Sequence, residues 1–278
     1  MFKDTGILLI GHGSKDPEGI QEYLNFTKLV QEITSVTVQK SFIEFARPSL
    51  KEALTLLAQD DLKKIVGIPL VLLGALHHKN DGPQIINYGR RFYSNVEFCY
   101  ARALGIHTKV LETARLRIKD QIITNRLEPN ETAVVLISRG STDPDANSDL
   151  YKIARLISDD PDLPETILPG FVSLSQPDVF KTIKTATKLG YRNIIVMPYF
   201  LFTGVLCKRI YSQAQLCEAE LDIKVFQAQH LGPDKNIALA VADRFHEALT
   251  GNTLMNCDLC AYRVKMPGYE YKLENHNH

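Results

Sequence analysis

Ile10-Gly11-His12-Gly13-Ser14-Lys15-Asp16-Pro17 decides the fold, because it returns 127 positions later as Ile137-Ser138-Arg139-Gly140-Ser141-Thr142-Asp143-Pro144. In both copies an apolar run enters a turn containing glycine, and an Asp-Pro pair leads out of it. Aspartate caps helix N-termini and proline suits the first helical position, so each copy reads as strand, turn, helix. Two further segments return in the same order. Phe42-Ile43-Glu44-Phe45-Ala46-Arg47-Pro48 recurs as Phe171-Val172-Ser173-Leu174-Ser175-Gln176-Pro177, and Ile68-Pro69-Leu70-Val71-Leu72-Leu73 as Met197-Pro198-Tyr199-Phe200-Leu201-Phe202, both displaced by 129. Three ordered matches at a nearly constant offset indicate a duplicated domain.

Working outward, apolar runs at 6–10, 37–43, 65–73 and 96–101 predict strands, rich in Val, Ile and Leu as parallel strands covered on both faces are. Between them Ile20, Tyr23, Leu24, Thr27 and Val30 mark one helix face, and Leu50, Ala53, Leu54 and Leu57 another. The fold class is therefore α/β, two tandem duplicated βαβα domains with parallel sheets. A polar, proline-containing stretch at 125–131 separates domains expected at 1–127 and 128–250. The last helix is expected at 234–249. Residues 251–278 form a tail without counterpart in the first half; it holds Cys257-Asp258-Leu259-Cys260 and ends on His276 and His278.

Composition narrows the partners. Lys plus Arg and Asp plus Glu are both 32, so no global basic field draws the chain to nucleic acid or an anionic membrane. No apolar run approaches the roughly 20 residues of a membrane helix, and the first residues run straight into a strand signal without a leader pattern. A cytoplasmic location is the expectation. Five cysteines at 99, 207, 217, 257 and 260 are too sparse for a disulfide framework, and only Cys257 and Cys260 are spaced for metal or redox chemistry.

Ligand sites in open α/β sheets collect at the C-terminal ends of the strands. Three chemistry-bearing positions fall there: His12 after the first strand, Glu44 after the second, and His77, with His78 beside it, after the third. Two imidazoles and a carboxylate suit a divalent transition metal and also accept protons near neutral pH. In the second half His12 becomes Arg139, Glu44 becomes Ser173, and His77 faces Leu206 or Cys207 depending on a one-residue gap. One active site in the first half, roofed by a degenerate second half, is the simplest reading.

These segments resemble the class II tetrapyrrole chelatases, specifically the long, CbiX-type sirohydrochlorin cobaltochelatases. The carriers are Ile10 to Ser14, the run from Phe42 through Glu44 and Pro48 to Leu50, and the run from Pro69 through His77 to Asp81. The resemblance implies ATP-independent insertion of Co²⁺ into sirohydrochlorin for cobalamin synthesis, with His12 and His77 as undivided metal ligands and general bases and Glu44 as the accompanying carboxylate. Because the substrate is a polycarboxylate, cationic and hydrogen-bonding groups are needed around the cleft. Ser14, Arg47, Lys79, Arg139, Lys208 and Arg209 are the substrate-binding candidates, with Arg90 and Arg91 further cations.

Met255-Asn256-Cys257-Asp258-Leu259-Cys260 resembles the family's M-x-C-x-x-C segment and implies an iron–sulfur centre. Two thiolates are half of a usual ligand set, so a second chain, or Cys207 or Cys217, would complete it. A second chain supplying the missing ligands would make a homodimer through the tail. Two alternatives stay open: a sirohydrochlorin ferrochelatase serving sirohaem synthesis, and a non-enzymatic carrier of metal or tetrapyrrole.

Overall fold

Every residue of Thr5–Gly11 (β1) and of its repeat Thr132–Ser138 (β5) is buried, as uninterrupted apolar runs require of the middle strand of a covered sheet. The structure is a computed structural model that describes residues 2, 4–74 and 76–251, with the backbone alone over 76–79. The predicted tail cysteines, Cys257 and Cys260, lie outside the described residues, as do His276 and His278.

After β1 come α1 (Pro17–Thr34), β2 (Thr37–Phe42), α2 (Leu50–Ala58), β3 (Lys64–Pro69), α3 (Leu76–Phe92), β4 (Glu97–Tyr100) and α4 (Thr108–Asn125). The second half repeats the series: β5, α5 (Pro144–Ile157), β6 (Ile167–Phe171), α6 (Val179–Lys188), β7 (Asn193–Pro198), α7 (Val205–Leu221), β8 (Lys224–Gln227) and α8 (Lys235–Thr250). All pairings are parallel, and the orders are β2-β1-β3-β4 and β6-β5-β7-β8. The duplicated α/β fold expected from the sequence is thus present, with the βαβα unit occurring twice in each half.

Local signals act as read. Asp16 Oδ1 accepts the Glu18 amide at 3.1 Å, and Asp143 Oδ1 accepts that of Asp145 at the same distance. The helix faces bury Tyr23, Thr27 and Val30 in α1 and Ala53, Leu54 and Leu57 in α2, with Phe26 added. β3 stops at Pro69, although the apolar run continues to Leu73. Leu70 N–H bonds Ile10 O at 2.9 Å, and Val71 N–H then turns back to Pro69 O at 3.0 Å. Leu70 and Leu72 remain buried in irregular chain, which is why the sequence reads as strand beyond the strand's end.

Contacts divide the described residues into two compact units. One takes in the chain up to Ser14, Tyr23–Gly105 and the chain from Ala238; the other takes in Lys15–Glu22 and Ile106–Ile237. The core of the first is built on Leu8, Ile10, Leu54, Ile65, Ile86 and Phe98. That of the second is built on Val135, Ile137, Ile183, Val196, Ile210 and Cys217. Each fully buried aliphatic side chain contributes about 1.5–3 kcal/mol.

Candidate functional site

In the first sheet β1 connects outward to β2 on one side and lies against β3 on the other, so the strand order reverses between β1 and β3. Ligands of doubly wound sheets sit at the C-terminal edge of such a switch point. His12 follows β1 there directly, and α3, with His77 as its second residue and Lys79 as its fourth, follows β3.

The β1 and β2 ends are stitched together beyond the strands. Ile43 N–H bonds Gly11 O at 2.9 Å and Glu44 N–H bonds His12 O at 3.0 Å. This pairing places the Glu44 carboxylate beside the His12 imidazole, with Oε1 3.1 Å from Nε2 and both side chains about two-fifths exposed. Gly13 makes the approach possible: its φ is +97°, and a Cβ there would lie 1.8 Å from the Glu44 carbonyl oxygen. Phe45 lies against the imidazole, with ring centroids 6.1 Å apart and planes inclined by 27°.

A nitrogen and an oxygen 3.1 Å apart match one edge of a coordination shell with metal–ligand bonds of about 2.0–2.2 Å, so the pair can share a single cation. Among the described residues no group of three or more His, Cys, Asp or Glu side chains is set to hold a metal.

The second sheet keeps the frame and changes its contents. Ser173 N–H bonds Arg139 O at 3.1 Å, the same backbone contact as Glu44 to His12, so the replacements by Arg139 and Ser173 stand at equivalent positions. α3 and α7 begin at Leu76 and Val205, 129 positions apart, which sets Leu206 opposite His77. Polar side chains fill the second turn: the Ser141 amide is met by Asn147 Oδ1 at 3.0 Å and by Ser175 Oγ at 3.1 Å. Asn147 Nδ2 reaches the Ser141 carbonyl at 2.7 Å.

The predicted substrate cations fare differently. Arg139 and Arg209 are exposed, and Ser14 is half-buried at the site turn. Arg47 pairs with Glu52, the carboxylate that also completes the Ser49 capping box of α2. Lys208 is held by two carboxylates of the same unit, Asp16 at 2.7 Å and Glu18 at 2.8 Å. Those partners raise the Lys208 pKa, and the Lys208 hydrogen bond holds Asp16 below its ordinary value. Arg90 is structural, donating from Nε and Nη2 to Phe98 O at 3.2 and 2.8 Å, and Arg91 lies over the Phe92 ring.

Cys207 and Cys217 are corrected from the sequence reading. Both are 1% exposed, and burial pushes each thiol up to about 11, which disfavours the thiolate that a cluster requires. Sequence reasoning missed a second imidazole–carboxylate pair, in the second unit: His230 Nε2 lies 3.0 Å from Glu22 Oε2, which also accepts the Thr203 amide at 2.7 Å. No local pattern links residues 208 positions apart.

A family model described as CbiX matches residues 6–121 and 133–248. The chain belongs to the CbiX family. The two CbiX matches run from β1 into α4 and from β5 into α8, one for each repeat. Over 261 residues this CbiX chain is 33% identical to the sirohydrochlorin cobaltochelatase of Priestia megaterium, covering 93% of this chain and 84% of that protein. It is 30% identical over 243 residues to the sirohydrochlorin ferrochelatase of Bacillus subtilis (strain 168), covering 87% and 90%. Among solved structures, SirB from Bacillus subtilis with Fe³⁺ superposes with a TM-score of 0.77 at 27% identity, covering 90% of this chain and 98% of that one. No described helix is long and apolar enough to cross a membrane.

Proposed function

We propose that this CbiX-family protein inserts Co²⁺ into sirohydrochlorin, with His12, Glu44 and His77 at the centre of the reaction. The observation that carries the reading is the His12 Nε2 to Glu44 Oε1 contact of 3.1 Å just beyond the C-terminal ends of β1 and β2, set against Arg139 and Ser173 at the equivalent positions of the second sheet. Cobalt is supported by the Priestia megaterium cobaltochelatase, matched at higher identity over a larger share of this chain than the Bacillus subtilis ferrochelatase. The Bacillus subtilis ferrochelatase, matched over 90% of its length, makes iron the second reading.

Two pyrrole protons leave as the divalent cation enters, so charge balances without electron transfer. His12 and His77 deliver the cation and accept protons; neutral imidazole binds first-row metals while releasing them more readily than thiolate. Glu44 draws the cation toward the site and shares in proton uptake. Ser14, Lys79, Arg139 and Arg209 are the groups offered to the substrate carboxylates. Arg47 and Lys208 join them only by exchanging Glu52, or Asp16 and Glu18, for substrate. Because the reaction moves no electrons, the chemistry does not demand a redox centre at Cys257 and Cys260, and the double serine variant is expected to retain most turnover, whereas its loss would place the tail in metal delivery.

The deciding experiment mixes metal-free protein with sirohydrochlorin and excess Co²⁺, Fe²⁺ or Ni²⁺ under anaerobic conditions and follows the absorption spectrum. The reading expects many metallated products per chain, fastest with Co²⁺. One bound equivalent without turnover would make the protein a carrier, and a faster rate with Fe²⁺ would make it a ferrochelatase.

A further inference from the structure

Phe45 stands beside the His12–Glu44 pair. Its side chain is 53% exposed, and its φ of +63° lies in the left-handed region, which a bulky side chain occupies only when its surroundings impose it. The imposition is visible. Ala46 N–H bonds Glu44 O at 2.9 Å, closing a tight turn with Phe45 at its centre, a rare and strained kind. The same Glu44 carbonyl occupies the space left by the missing Gly13 side chain. The strained conformation of Phe45 is therefore coupled to the glycine at position 13, and the result is an exposed phenyl ring lying against His12.

The second repeat isolates what this arrangement adds. Leu174 stands at the equivalent position and is 51% exposed, but it is aliphatic, has no positive φ, and sends its N–H to Arg139 O at 3.2 Å. The left-handed turn and the aromatic ring occur together only in the repeat that also carries His12 and Glu44. Apolar exposure and backbone strain both cost stability, so the arrangement calls for a ligand with a flat, conjugated face.

We infer that Phe45 is a positioning residue: the tetrapyrrole macrocycle lies against its ring, which fixes the height of the four pyrrole nitrogens relative to the His12 and Glu44 donors. The inference rests on the proposed substrate and adds to it the contact that holds the ring plane. A ring contact of this kind is worth about a factor of 10 in affinity.

The test compares wild type, Phe45→Gly and Phe45→Tyr in three measurements: metal-free sirohydrochlorin binding by absorbance titration, steady-state kcat and KM with Co²⁺, and the thermal midpoint. Glycine tolerates the left-handed conformation, so Phe45→Gly is expected to keep or raise the midpoint. It is also expected to weaken sirohydrochlorin binding about 10-fold and to lower kcat as well as raise KM, because a loosely held macrocycle is misplaced for metal transfer. Phe45→Tyr should restore both. Unchanged affinity and rate in Phe45→Gly, with wild type active, would overturn the inference and leave the proposed function standing. Wild type that fails to bind sirohydrochlorin at all would overturn the proposed function first.

Discussion

Gly13 and Glu44 interlock at the site: the glycine's missing Cβ leaves the space that the Glu44 carbonyl oxygen fills, and a methyl group there would lie 1.8 Å from that oxygen. Gly13→Ala is therefore expected to push the Glu44 loop away from His12 and to lower metal insertion about 100-fold, as ångström-scale misplacement does. Gly140→Ala is the matched control. Its φ of +82° also strains any other residue, and its Cβ would meet Ser175 N at 2.9 Å. It should cost about 1–2 kcal/mol of stability while kcat is kept, read from thermal melts and initial rates.

Asp16 gives a pH signature. The hydrogen bond from Lys208 holds its carboxyl below the ordinary value of 3.8 in the folded protein, so the interaction stabilises the fold above about pH 4 and is lost as pH falls through the folded-state value. Asp16→Asn should lower the melting temperature at pH 7, and the gap from wild type should close progressively below pH 4. A constant gap from pH 7 to pH 3 would place the effect in the helix cap alone.

Cys207 and Cys217, buried with thiols raised to about 11, should resist alkylation at pH 8 in the native state and react at once in denaturant. Peptide mass spectrometry after a short iodoacetamide pulse checks this. Rapid native labelling of either would show that α7 opens.

Arg244, 4% exposed, donates to Ala103 O at 2.9 Å and Leu104 O at 2.8 Å and pairs with Glu247. Arg244→Ala leaves those acceptors without their donor and should cost about 3 kcal/mol in denaturant unfolding, with the metal-insertion chemistry intact in the folded fraction.

The legible part of this protein is the part written in local patterns. Uninterrupted apolar runs announced the buried parallel strands, Asp-Pro pairs announced the starts of α1 and α5, and the recurrence of two segments at a shift of 129 announced the duplication. His12 and Glu44 could be joined because strand topology brings both to one sheet edge. Long-range contacts left no such mark. The Asp16 and Glu18 clamp on Lys208, and the Glu22 pairing with His230, depend on side chains 190 to 208 positions away. The left-handed turn at Phe45 depends on the space above Gly13, and nothing in the run Glu44-Phe45-Ala46 announces it.

The central claim is a single metal-handling site in the first repeat, and the most direct measurement compares initial rates of Co²⁺ insertion into sirohydrochlorin for His12→Ala and Arg139→Ala in one assay. His12 is about two-fifths exposed and Arg139 is exposed, so both variants should fold. The account predicts a loss of at least about 100-fold in kcat for His12→Ala, in line with removing a general base and metal ligand, and a raised KM with kcat retained for Arg139→Ala. Equal rates in the two variants, or a larger loss in kcat for Arg139→Ala, would contradict it.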